Sequence, residues 1–149
     1  MAEFKESEAI KKEQLFGIPF EFDIGTTAGE VYTKKHTLSA GYYFVWEIIQ
    51  AVKFKSDGTP DSILSPTLRD VYIQIRDEYT TEDMFTSPIS LYLVTGQGAY
   101  QYVLPRPYMF LPGTTITVTV TDKFGGSSGF KLQVALLGYR IARTAATGK

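Results

Sequence analysis

The chain has no cysteine, one histidine and one tryptophan among its 149 residues, and its formal net charge is only −1. Each shortage removes a class of function. Without cysteine there are no disulfides, no thiolate nucleophile and no thiolate metal ligand. A lone histidine, His36, leaves a Ser-His-Asp triad dependent on one residue with no GxSxG elbow to accompany it, and falls short of the three or four ligands of a zinc site. Near-neutral charge gives no global attraction to nucleic acid or to an anionic membrane. No apolar run reaches the roughly 18 residues of a membrane-spanning helix, and the opening MAEFKESEAIKKEQ lacks the apolar stretch of a secretory signal, so the expectation is a soluble protein not exported by that route.

What is present points to β-structure. The chain has ten Tyr, ten Phe and 13 Gly, together with many Thr and Val, a composition suited to strands joined by turns. In LFGIPFEFDIG, Ile18, Phe20, Phe22 and Ile24 alternate with Glu21 and Asp23, the two-residue period of a half-buried strand. VYTKKHTLS reads as a more polar strand carrying Tyr32, Lys34 and His36 on one side. YYFVWEIIQAVKFK is the longest apolar run and predicts a long, bent strand with both faces partly covered, with Trp46 in the core. Asp57-Gly58 is a hairpin signal, after which Pro60 delays the return of the chain. In RDVYIQIRDE, Val71, Ile73 and Ile75 alternate with Asp70, Tyr72, Gln74 and Arg76. YTTEDMFTS is a polar excursion, and PISLYLVTG and YQYVLPRPYMF read as two further strands. TTITVTVTD sets Ile116, Val118 and Val120 against a threonine face, and with GFKLQVALLGYRIA it makes an antiparallel closing pair around a Gly/Ser turn.

About eight strands at even spacing predict an all-β fold, an antiparallel jelly-roll or Greek-key β-sandwich. Residues 1–14 form a short N-terminal arm, helical or extended, residues 15–142 the sandwich, and residues 143–149 a flexible tail. The segment 105–112 carries three prolines, which places it at a sheet edge or crossing.

Candidate chemistry is sparse. Asp77, Glu78, Glu82 and Asp83 form an acidic loop that offers oxygens for calcium or a carboxylate pair for glycoside chemistry, weighed against a solvated loop. GGSSG lacks the lysine and the following helix of a phosphate loop. The reading is therefore non-enzymatic, with no cofactor and no metal. The tyrosine surplus suits interfaces, where a rigid ring and a hydroxyl both find partners. Phe4, Ile10, Tyr72, Tyr100, Tyr102, Arg106, Tyr108, Thr115, Thr117 and Thr119 are the candidate interface residues.

The C-terminal third carries a resemblance. Pro105-Arg106-Pro107-Tyr108, Pro112-Gly113, the threonine/valine strand over 114–121 and Leu137-Gly138-Tyr139-Arg140-Ile141 together resemble the closing pattern of small β-sandwich virion structural proteins of tailed bacteriophages. The resemblance implies a scaffold without an active site. It would be a capsid decoration or cement protein, or else a collar, connector or tail component. Its partners would be the major capsid protein or other virion subunits, and it would form a homodimer or homotrimer on a particle assembled in the host cytoplasm. A carbohydrate-binding jelly-roll module is the alternative from a different class.

Overall fold

The computed structural model describes residues 13–59, 70–95, 102–123, 125 and 129–143. Phe4, Ile10 and Tyr100 lie outside the described residues. Among those described, the elements run β1 (Glu13–Ile24), β2 (Glu30–Thr37), β3 (Tyr42–Lys55), β4 (Val71–Asp77), β5 (Glu82–Asp83), β6 (Ile89–Ser90), α1 (Leu91–Thr95), β7 (Tyr102–Phe110), β8 (Thr115–Asp122) and β9 (Phe130–Ala142). The protein is an all-β sandwich of two antiparallel sheets. Sheet A has the order β1-β9-β3-β7. Sheet B has the order β2-β8-β4, with β5 and the two-residue β6 both paired to β4.

The alternation read along the chain builds the core directly. Ile18, Phe20, Phe22 and Ile24 of β1 are buried against Val71, Ile73 and Ile75 of β4 and Ile116, Val118 and Val120 of β8 in one cluster. β3 and β9 add Phe44, Trp46, Ile49, Leu132, Val134 and Leu136. Each such side chain contributes about 1.5–3 kcal/mol through removal from water. The rings of Phe44, Trp46, Tyr108 and Phe110 stack or meet edge-on at 4.8–6.2 Å at one end of the core.

β3 spans 14 residues because it bends. Glu47 bulges between Trp46, which pairs with Gly138, and Ile48, which pairs with Leu137. The Trp46 indole N–H donates to the Ile48 carbonyl at 2.9 Å and clips the bulge. Gly138 is required opposite it, since a Cβ there would fall on the Val45 carbonyl oxygen and within 3.2 Å of the Glu47 nitrogen.

Two local expectations change. PISLYLVTG is a two-residue strand followed by helix α1. Leu91, Val94 and Thr95 are buried while Leu93 is 75% exposed, and burial at i, i+3 and i+4 is helical spacing that a two-residue period cannot produce. Asp57-Gly58 makes the tight turn expected, with Gly58 at φ 88° and its N–H donating to the Lys55 carbonyl, and the Lys55 N–H donates across the turn to the Thr59 carbonyl at 2.9 Å. Residues 60–69 lie outside the described residues, and β4, the next strand described, belongs to sheet B while β3 belongs to sheet A. β8 and β9 are not a hydrogen-bonded pair; β8 lies between β2 and β4, and β9 between β1 and β3. The proline-rich β7 is an edge strand of sheet A, as its missing N–H donors require.

Candidate interaction surfaces

The acidic loop resolves into separate bonds. Asp77 lies on the core face of β4, 2% exposed, in the same alternation as Ile73 and Ile75. Its Oδ1 accepts from the Tyr79 and Thr80 backbone N–H groups at 2.9 and 3.4 Å, and its Oδ2 accepts from the Tyr108 hydroxyl at 2.7 Å. The last bond ties β4 of sheet B to β7 of sheet A. Burial, and then the bond to the Asp77 carboxylate, push the Tyr108 phenol up to about 12. Glu78 turns the other way and accepts from the Thr117 hydroxyl at 2.6 Å and from Arg76 Nε at 3.2 Å. Thr117, and then Arg76, hold the Glu78 carboxyl below the usual range. Asp83 pairs with the other arm of Arg76 at 3.3 Å. Among the described residues no three His, Cys, Asp or Glu side chains converge as a metal would need.

The threonine face is the outer surface of sheet B. Thr115 and Thr119 of β8 meet Thr37 and Thr33 of β2 hydroxyl to hydroxyl at 2.8 and 3.4 Å, and Thr117 is held by Glu78. Thr33 and Thr37 are exposed and Thr115 and Thr119 half-buried, so these cross-strand pairs join hydroxyls on the open face of the sheet. Tyr72 joins the same face through its pairing with Thr121, and Lys123 lies over its ring at 5.2 Å. The structure thus brings Tyr72, Thr115, Thr117 and Thr119 together. Tyr102, Arg106 and Tyr108 lie elsewhere, on β7, with Tyr102 and Arg106 exposed and Tyr108 half-buried. His36 is half-buried on β2, paired with Ile116.

The outer face of sheet A carries a feature that the strand-by-strand reading missed. Two complete cross-sheet rows are apolar. One runs Leu15, Tyr139, Val45, Met109; the next runs Gly17, Leu137, Ile48, Val103. Leu15 is 94% exposed, Val103 62% and Met109 52%. Val45 is buried yet stands apart from the core cluster, covered instead by its outer-face neighbours. Between the rows lies a hollow of about 430 Å³ lined by Leu15, Gly17, the bulged Glu47, Ile48, Leu137 and Gly138. The available signal was the run ALLGY in β9, apolar at successive positions instead of alternate ones.

Further along the same face the rows become polar. Lys131 pairs with Asp23 at 2.7 Å, and Gln133 donates to Glu21 at 3.1 Å. With Lys34 and the Phe54 ring they border a cleft of about 310 Å³.

Neither protein-family models nor curated proteins gave a match to this chain. The class that the fold defines is a two-sheet antiparallel β-sandwich.

Proposed function

We propose that the protein is a non-enzymatic structural component of a bacteriophage virion, a capsid decoration or cement protein in the first instance and a collar, connector or tail part in the second. The observation that carries the reading is the outer face of sheet A, where two adjacent apolar rows cross all four strands. A contiguous exposed apolar patch marks a surface made to be covered. The resemblance of the C-terminal third to small virion proteins supports the same reading. So do the strand orders β1-β9-β3-β7 and β2-β8-β4-β5, the latter with the two-residue β6 added on β4, which suit the two facing sheets of a jelly roll. The partners are then the major capsid protein or other virion subunits.

Gradient-purified particles from a host expressing this chain test the reading. The chain should co-sediment with capsids in fixed stoichiometry and raise their thermal or osmotic stability. Particles of normal stability that lack the chain would refute it.

A carbohydrate-binding module is kept as a second reading because of one feature, the cleft where the Phe54 ring adjoins Glu21, Asp23, Lys131 and Gln133. An aromatic face beside paired polar groups suits a sugar ring. Saturation-transfer NMR against a glycan panel should then show contacts that Phe54→Ala abolishes; silence across the panel removes this reading.

A further inference from the structure

We infer that the apolar outer face of sheet A is a homodimer interface, covered by a second copy of this chain packed face to face. The inference rests on the reading of that face as an assembly surface and assigns its occupant.

The strand edges are guarded. β1 carries Pro19 without an N–H donor and the acidic pair Glu21 and Asp23, β7 carries Pro105 and Pro107, and β2 presents Lys34 and Lys35. Proline and charge are the usual means of preventing strand addition at an edge. Contact through either edge of sheet A, β1 or β7, is therefore disfavoured, and its face is the open approach.

The face is self-complementary. Leu15 stands out at 94% exposure, and one row away on the same strand the Leu137 side chain folds over Gly17, its Cδ2 2.6 Å from where a Cβ would stand, beside a shallow apolar hollow. A two-fold axis running across the strands, between the two apolar rows, lays Leu15 of each copy over the Gly17 position of the other, where Leu137 provides the apolar contact. The same operation sets Tyr139 on Leu137, Val45 on Ile48 and Met109 on Val103, so that apolar groups meet apolar groups across all four strands. The row Ile141 and Tyr43 then meets Ala135 and Gln50. The polar rows that hold Asp23 and Lys131 extend beyond the contact into solvent. The sheets pack with aligned strands, an ordinary sandwich geometry.

Area sets the strength. With strands about 4.8 Å apart and same-face residues about 6.8 Å apart, the four rows give a footprint of about 450 Å² on each copy. The total, about 900 Å², is below the roughly 1,600 Å² of a standard stable complex and falls among weak associations. Glu47 adds a restraint, because the axis passes its bulge and brings the two Glu47 carboxylates to face each other. The free dimer is therefore weak, and it consolidates where an array raises the local concentration of subunits.

Sedimentation equilibrium of the full chain from micromolar to millimolar concentration tests this. The wild type should pass from monomer to dimer within that range. Leu15→Glu should weaken the dimer by at least about tenfold while leaving the melting temperature unchanged, since that side chain is almost wholly exposed. Glu47→Gln should tighten it severalfold by removing the facing charges. Tyr79→Glu, at a 66% exposed position of the β4–β5 turn, should do nothing. A chain monomeric to millimolar concentration overturns the inference, as does a dimer indifferent to Leu15→Glu. Co-sedimentation with particles is read separately: a monomer that still binds capsids leaves the virion reading intact, and a dimer that ignores them leaves only the interface.

Discussion

Removing the hydroxyl that joins the two sheets should expose the energetics of the Asp77–Tyr108 bond. Tyr108→Phe deletes the O–H that donates to Asp77 Oδ2 at 2.7 Å and leaves the ring against Phe110 at 4.8 Å. A hydrogen bond to an ionised group is worth about 1.5–3 kcal/mol net, and the carboxylate left behind is only 2% exposed, so a loss of about 2 kcal/mol is expected. Asp77→Ala also strands the Tyr79 and Thr80 N–H groups. Those groups are nearer solvent, and about 3–4 kcal/mol is expected for the three bonds together. The double variant should cost less than the sum of the two, by a coupling of about 1.5 kcal/mol, because each single change already removes the shared bond. Urea unfolding followed by circular dichroism gives these values from shifts in midpoint at constant slope. A coupling under about 0.5 kcal/mol would refute the argument that this bond helps clamp the sheets.

The same phenol predicts an alkaline limit. Its folded value of about 12 stands above the ordinary 10.0, so the folded state favours the neutral form; that stabilisation is complete below pH 10 and is lost as pH rises toward 12. A shift of that size corresponds to roughly 2.7 kcal/mol, which partial solvent access reduces to about 1–2 kcal/mol. Tyr108→Phe should flatten the stability profile over this range in a pH series of thermal melts. Gly138→Ala should destabilise by about 3 kcal/mol, read as a fall in denaturant midpoint, because its Cβ meets the backbone of the β3 bulge instead of a movable side chain. Helix α1 is tested by contrast: Leu91→Ala should cost about 3 kcal/mol, and Leu93→Ala less than about 0.5 kcal/mol, whereas equal costs would mean that both residues share one buried strand face.

Much of the fold was legible because a strand shows its two faces in its own residues. The alternations Ile18-Phe20-Phe22-Ile24, Val71-Ile73-Ile75 and Ile116-Val118-Val120 named core residues correctly, and the prolines of β7 placed it at an edge. The period also held a clue that composition obscured. Asp77 continues the Val71, Ile73, Ile75 series and therefore faces inward, although its acidic neighbours suggested a solvated loop. The polarity of Thr115, Thr117 and Thr119 was equally clear, but their partners Thr37, Glu78 and Thr33 lie 39–86 residues away, and no local pattern announces such pairs.

By itself, then, the chain determined its β character, the inward residues of its main strands, and the absence of cysteine chemistry, because these follow from composition and from a two-residue period. Only the tertiary structure decided which strands pair. Sequence neighbours such as β1 and β2, or β8 and β9, arch over the core into opposite sheets, while Glu13 finds Ile141 across nearly the whole chain. Pairing of that kind is settled by closing long loops onto one shared core. The apolar outer face of sheet A belongs to the same category, since it exists only where four distant strands are aligned in register.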